Sequence, residues 1–133
     1  MTQVRTIRDI IERLRMNWRG YLQQYWIFLV LTILAAAADM FSTIRFMLLE
    51  GPEAEGHPAV RLISIVFGPI FGPVIGKICQ FAVIISVTVY LRRWAVYIFV
   101  IVIILCTWAA WYNIWGQYVY YPRLLKLLEY LPF

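Results

Sequence analysis

The sequence predicts an all-α integral membrane protein, built as one membrane domain with three transmembrane helices. Hydrophobic residues make up 63% of the chain and charged residues 14%, whereas a soluble domain is roughly half apolar and a quarter charged. Three apolar stretches, at residues 25–49, 59–91 and 94–116, are each long enough to cross a bilayer, which takes about 20 residues. The polar sequence that remains is too short to bury a core, which excludes a soluble catalytic domain.

Residues 1–21 form a basic head before the first apolar stretch. Apolar residues recur there at three- and four-residue spacing while arginines occupy other positions, which predicts an amphipathic helix. We expect this helix to lie in the membrane interface and to bind anionic lipid head groups. Docking on the cytoplasmic surface of a partner protein is the alternative. The formal net charge of +5 is therefore not read as an affinity for nucleic acid.

The arginines also predict the orientation, because cytoplasmic loops of membrane proteins carry an excess of basic residues. The head has five arginines, and Arg92 and Arg93 lie on the same side of a three-span chain. The opposite side has fewer basic residues, which favours a bacterial inner-membrane protein with a cytoplasmic N-terminus and a periplasmic C-terminus. The acidic loop at residues 50–58 is then external, and the aromatic, leucine-rich tail at 117–133 is predicted to be an outer interfacial segment.

The third span is apolar on every side and ends in a run of aromatic residues. Such residues gather at the membrane–water boundary, where a ring can be half buried. We expect this end to contact lipid, another subunit's helices, or a pigment or quinone. The tryptophans concerned are Trp108, Trp111 and Trp115.

The second apolar stretch, residues 59–91, is too long for a simple span. One continuous helix of that length would measure about 50 Å, against about 30 Å for the hydrocarbon core. Pro69 and Pro73 are the predicted break points, since each lacks a backbone donor and clashes with the preceding turn. We therefore expect residues 59–67 to form a short interfacial or re-entrant piece and residues 70–91 to form the true second span.

A row of glycines lies within this broken stretch. Gly68, Gly72 and Gly76 recur every four residues, the small-xxx-small pattern that lets helix backbones approach closely. The first span offers a matching row of small residues that includes Ala35 and Ala36. The expected contact is between spans one and two. A partner subunit's helix, or a lipid or pigment tail, is the alternative occupant of the glycine groove.

Two charged residues lie inside predicted spans, Asp39 in the first and Lys77 in the second. A charge at that depth costs a few kcal/mol, so such residues usually face protein and find a partner. We expect an Asp39–Lys77 ion pair, extended by Thr43 and Gln80 into a polar seam. The seam is either a structural contact that fixes the register of two helices, or a site for a substrate, an ion or a proton.

Neither a metal nor a cofactor is expected from the sequence. Glu53, Glu55 and His57 offer ligand types that suit a divalent metal, but their spacing is irregular. Cys79 and Cys106 lie in separate spans without any CxxC or Cys/His spacing. We therefore interpret both cysteines as small hydrophobic residues.

Short motifs in the first two spans resemble those of a family of small uncharacterised prokaryotic three-span membrane proteins. ADMFST at residues 38–43 has an Asp followed by a Thr, EGHP at 55–58 resembles a Glu-x-Asn-Pro loop, and a glycine-rich segment precedes a lysine. His57 departs from the pattern, which has Asn there. The resemblance covers about residues 25–91 and implies three spans, but no known reaction. The matching positions are Asp39, Thr43, Glu55, Pro58 and Lys77.

These features lead to one main hypothesis and two alternatives. The main one is a non-enzymatic accessory or assembly subunit packed against a larger membrane complex, for example a respiratory or photosynthetic one. The first alternative is a component of an oligomeric small transporter or channel, with the Asp39/Lys77 seam lining its path. An intramembrane enzyme is the least favoured, because the sequence has no Ser/His dyad, HExxH or paired-aspartate motif.

Overall fold

A computed structural model of the 133-residue chain describes residues 7–116. That part is helical, without a β-strand among the described residues. Short 3₁₀ turns at Pro52–Ala54 and Arg92–Trp94 connect the helices, and a π-helical turn at Tyr112–Gly116 follows the last one. The predicted tail at 117–133 lies outside the described residues. The helices are α1 (Ile7–Trp18), α2 (Tyr21–Glu50), α3 (Pro58–Tyr90) and α4 (Ala95–Trp111).

Within the described residues, three helical segments are long and apolar enough to cross a membrane: Tyr21–Glu50, Pro58–Tyr90 and Arg92–Trp115. The predicted all-α fold with three candidate spans is therefore confirmed at this level. The first of them starts at Tyr21, four residues before the expected start. Gly20, with φ of 69°, ends the α1 segment and its carbonyl accepts the amide of Gln24 at 3.0 Å, which begins the new helix at once.

The head helix α1 packs against the end of α3 within the same chain. Asn17 Nδ2 donates to the carbonyl of Val89 at 2.9 Å, and Arg92 donates to the carbonyls of Asn17 and Arg19 at 3.0 and 2.8 Å. Arg13 lies over the ring of Tyr90 at 4.6 Å. We call this end of the bundle, where α1, the start of α2 and the end of α3 meet, the α1 end.

An aromatic cluster fills the core beside the α1 end. Tyr21 and Phe99 are fully buried, and Tyr25 lies between them with ring centroids 5.2 and 6.1 Å away. The hydroxyls of Tyr21 and Thr88 share a hydrogen bond of 2.6 Å, and the hydroxyl of Tyr25 donates to the Arg92 carbonyl at 3.1 Å. Each buried phenol therefore has a partner. Tyr21 joins α2 to α3, and Tyr25 joins α2 to the turn between α3 and α4.

Helix α3 consists of two helices that meet at Gly68. This residue has φ of 93° and ψ of 170°, angles that only glycine adopts readily. A Cβ placed on Gly72 would come within 2.7 Å of the Cβ of Ser64, and one on Gly76 would lie 3.7 Å from Val60. Ser64 and Gly72 are equally distant from Gly68 in the sequence, as are Val60 and Gly76. The chain therefore folds back at Gly68 into a tight antiparallel hairpin.

We name the two arms of this hairpin α3a (residues 58–67) and α3b (residues 69–90). At 1.5 Å per residue α3b measures about 33 Å, which matches the hydrocarbon thickness of about 30 Å. Pro69 opens α3b, where a missing backbone donor costs nothing. Pro73 is not a break, contrary to expectation, because it lies near the start of α3b and Gly68 is the residue with non-helical angles.

The glycine row packs within the hairpin rather than against the first span. The neighbours of Gly72 and Gly76 are Ser64 and Val60 of α3a. The prediction that the glycine row packs against Ala35 and Ala36 of α2 is therefore wrong, because the hairpin places α3a against Gly72 and Gly76. Helix α2 packs most extensively on α4 instead, and Ala35 is buried on α2.

We predict that Gly72→Ala destabilises the protein strongly, whereas Gly76→Ala does not. The new methyl group at position 72 would overlap the backbone and side chain of Ser64, and overpacking of this kind typically costs about 1–3 kcal/mol. At position 76 the methyl group meets Val60 at ordinary contact distance, and alanine favours a helix by up to about 1 kcal/mol over glycine. Thermal unfolding of both variants in mild detergent measures the difference.

Ser64→Ala is the control for this comparison. The Ser64 hydroxyl is buried and has no hydrogen-bond partner among residues 7–116, so its removal should leave stability equal or slightly higher. Equal unfolding temperatures for Gly72→Ala and Gly76→Ala would contradict the close contact within the hairpin.

Candidate functional site

An ion pair joins α2 to α3b in the middle of the molecule. Lys77 Nζ of α3b pairs with Asp39 Oδ2 of α2. Their side chains are 19% and 12% exposed, respectively. Asp39 lies about 17 Å before the end of α2 at 1.5 Å per residue, so the pair lies well inside the apolar segments. Opposite charges at that depth are held together because neither can find water easily.

Polar side chains surround the pair on both helices. Lys77 Nζ also donates to Gln80 Oε1 at 2.8 Å and lies 4.0 Å from the Cys106 sulfur. The Thr43 hydroxyl lies 3.5 Å from Asp39 Oδ1. The structure therefore brings together the four residues that the sequence placed in one seam, and adds a cysteine of α4.

Asn113 is a member of this network that the sequence analysis missed. Its Nδ2 atom donates to Ser42 Oγ at 3.1 Å and to Thr43 Oγ1 at 3.0 Å. The π-helical turn at Tyr112–Gly116 carries this side chain, and turns of that type often occur at functional sites. The available signal was a lone amide in an otherwise apolar and aromatic span. Asn113 connects α4 to the polar face of α2.

A cavity of about 370 Å³ opens beside the ion pair. We call it the seam cavity. Its polar wall comes from α2, α3b and the π-helical turn, and its apolar wall comes largely from α3a and the residues facing it, including Val60, Ile63 and Pro73. The volume falls in the range of small-molecule sites. The polar lining residues are Asp39, Thr43, Glu55, His57, Lys77, Gln80 and Asn113.

The loop before α3 reaches the level of the ion pair because of the hairpin. Val60 faces Gly76, so the residues that precede α3a lie beside the part of α3b that carries Lys77. Glu55 and His57 consequently line the seam cavity. The His57 amide donates to Glu55 Oε1 at 3.1 Å, which orders this part of the loop.

Most of the remaining predicted contact residues do not line the cavity. Trp108, Trp111 and Trp115 are exposed on the surface of α4 and its π-helical turn, and Trp108 stacks on Tyr112 at 5.6 Å. Neither Gly68 nor Gly72 lines the cavity, whereas Gly76 does. None of the three tryptophans lines the cavity.

Within residues 7–116, no group of three or more His, Cys, Asp or Glu side chains is arranged to hold a metal ion. The lining offers instead a balanced ion pair, one further carboxylate, an imidazole, two amides and a hydroxyl. This set can solvate a small polar molecule by hydrogen bonds and charge. Comparisons with protein-family models, curated proteins and solved structures find no match.

We predict that Asp39→Leu and Lys77→Leu each destabilise the protein and that the double variant recovers much of the loss. Each single change leaves one charge buried without its partner, and breaking a buried pair costs about 3–5 kcal/mol. Replacing both members by apolar residues is often near neutral. Unfolding temperatures of the three variants test the pair; a double variant as unstable as the sum of both singles would contradict the coupling.

We also predict that Cys79 reacts with a charged, membrane-impermeant methanethiosulfonate reagent added outside intact cells. Cys79 is exposed and lines the seam cavity, and thiol reactivity requires a hydrated, deprotonated sulfur. Cys106 is buried and should stay unmodified. With a cytoplasmic N-terminus, the cavity opens to the outside. Mass spectrometry of the intact chain measures the modification.

Cys79→Ser is the control for this labelling and should abolish it. Labelling that occurs only in inverted vesicles would contradict the predicted orientation. Failure to react from either side, with normal reaction after denaturation, would mean that the cavity is closed to water.

Proposed function

We propose that the protein is a non-enzymatic component of a membrane assembly and binds a small polar solute in the seam cavity. One observation carries the proposal: the Asp39–Lys77 pair borders a cavity of about 370 Å³ instead of being enclosed by packed side chains. A purely structural ion pair requires good geometry and satisfied hydrogen bonds, and neither of these needs an adjoining cavity. Most of the lining is apolar, with a few polar groups converging on one wall, which is the composition of small-molecule sites.

The charges of the lining favour a solute with a positive group. Asp39 and Lys77 neutralise each other within their ion pair. Beyond that pair, the lining residue with a formal charge is Glu55, which is acidic. A small amine, a zwitterion or a quaternary ammonium compound fits this balance better than an anion does.

The neutral polar groups would complete the binding site. The Asn113 amide donates to the hydroxyls of Ser42 and Thr43 on α2. The positions of Thr43 and Asn113 are therefore defined before any solute enters. Gln80 is held by Lys77. A site whose groups are oriented in advance loses less entropy on binding.

Transport of such a solute requires more than this chain, since three spans are too few to enclose a path. We therefore place the protein in an oligomer or a larger complex of the bacterial inner membrane, with its N-terminus in the cytoplasm. The exposed tryptophans of α4 supply a surface for a neighbouring subunit, lipid, pigment or quinone without obstructing the cavity.

The predicted outcome is that a small organic cation stabilises the protein and that the cavity variants lose this effect. A panel of amines, amino acids and quaternary ammonium compounds is added to purified protein, and the unfolding temperature is recorded. Glu55→Gln removes the additional negative charge and should weaken binding about tenfold, the effect of roughly 1.4 kcal/mol. Glu53→Gln is the matched control, because Glu53 is exposed and does not line the cavity.

Two results would overturn the proposal: no compound of the panel stabilises the protein, or both glutamine variants respond as the unmodified protein does. In that case the second candidate gains support, an accessory subunit in which the seam has only a structural role. The exposed aromatic surface of Trp108, Trp111 and Trp115 favours that candidate. Purification from the native membrane in mild detergent would then recover the chain with a larger complex.

A further inference from the structure

A second cavity lies at the α1 end of the molecule, far from the ion pair. It has a volume of about 390 Å³ and opens between the head helix and the last turns of α3b. We call it the α1 groove. Its lining residues are Leu14, Arg15, Trp18, Ile85, Ser86 and Val89. None of these side chains takes part in the seam cavity.

The floor of the α1 groove is apolar and firmly packed. Val89 is buried, and Leu14 and Ile85 pack against the aromatic core cluster. Trp18 stacks on Tyr21 at 5.6 Å, which holds its ring at one wall. Such a floor suits a hydrocarbon chain, because it offers apolar contact along a helix that is itself long and apolar enough to span.

Among residues 7–116, Arg15 is the only charged residue in the lining of the groove. The other arginines beside it have partners: Arg8 pairs with Glu12, Arg13 lies over Tyr90, and Arg92 is bound to Gln24. Arg15 is exposed and takes part in neither of the ion pairs found among residues 7–116. Its guanidinium is thus available to a ligand, and it is planar and suited to a phosphate.

We propose that the α1 groove binds one anionic phospholipid. The phosphate would lie at Arg15 and one acyl chain would lie along Leu14, Ile85 and Val89, with Trp18 at the head-group level. The positive charge at the α1 end is complementary to a negatively charged lipid head group. Residues 1–21 together with Arg92 and Arg93 contain seven arginines and two acidic residues, which attracts an anionic lipid surface.

The proposal distinguishes one groove from general attraction to the basic head. Arg19 belongs to the same basic segment, but its side chain does not line the groove. Its backbone carbonyl accepts a hydrogen bond from Arg92. Arg19→Gln therefore removes the same charge as Arg15→Gln at a neighbouring position, and serves as the matched control.

The test is native mass spectrometry of the purified full chain with phosphatidylglycerol or phosphatidylcholine added in detergent. The unmodified protein should retain one phosphatidylglycerol molecule more tightly than phosphatidylcholine. Arg15→Gln should weaken phosphatidylglycerol binding about fivefold, the effect of about 1 kcal/mol per basic residue near a lipid surface. Arg19→Gln should change it less than twofold. Ser86→Trp, at an exposed position that borders the groove, should weaken both lipids by filling the space.

Three results would overturn the proposal. Equal losses in Arg15→Gln and Arg19→Gln would mean that the head attracts lipid without a defined site. Unchanged lipid binding in Ser86→Trp, with the same unfolding temperature as the unmodified protein, would exclude the groove as the binding place. Inorganic phosphate or glycerol phosphate that competes at the concentration of the lipid would mean that only an anion is bound there.

Discussion

The Asp39–Lys77 ion pair is the contact on which the arrangement of the helices depends. A charge inside an apolar segment must lie beside its partner, since the surrounding lipid cannot solvate it. Lys77 therefore holds α3b next to α2 and fixes the position of one helix along the axis of the other. Tyr21 and Thr88 make a second polar contact between the same helices near the α1 end. Two separate polar contacts prevent α2 and α3b from sliding past each other. Apolar packing alone would permit such sliding, because hydrophobic contacts have no preferred direction.

The hairpin at Gly68 determines what surrounds that ion pair. Because α3a lies along α3b, the chain enters α3a beside Lys77 and places Glu55 and His57 over the seam. A single unbroken helix would have placed this loop far from the pair. The same fold-back gives the seam cavity its apolar wall, through Val60 and Ile63. The polar and the apolar sides of the site thus come from one turn of the backbone.

The parts of the fold that follow from the cost of exposing polar groups to lipid could be predicted from the sequence. A backbone in lipid must satisfy its own hydrogen bonds, so long apolar stretches give helices. Three such helices are present in the part of the chain that the structure describes. The same argument applied to side chains placed Asp39 opposite Lys77, as the structure has them. The break in the second stretch also followed from length alone.

The direction of packing could not be predicted in this way. A row of glycines indicates a close contact but does not identify the other surface, and the structure supplies Ser64 and Val60 rather than Ala35 and Ala36. The packing of α1 on α3 depends on Asn17 and Arg92, whose partners are backbone carbonyls that every sequence contains. Asn113 reaches the seam through a π-helical turn, which has no clear sequence signature.

The symmetry of the hairpin about Gly68 also constrains how this protein can change during evolution. Ser64 meets Gly72 because each lies four residues from the turn. An insertion or deletion of one residue in either arm would rotate that arm by about 100°, and a bulky neighbour would replace the small pair at the crossing. Substitutions can accumulate on the lipid-facing sides of both arms, but the number of residues in each arm must stay the same. Homologous chains should therefore be alignable without gaps between residues 60 and 77, even where few identical residues remain.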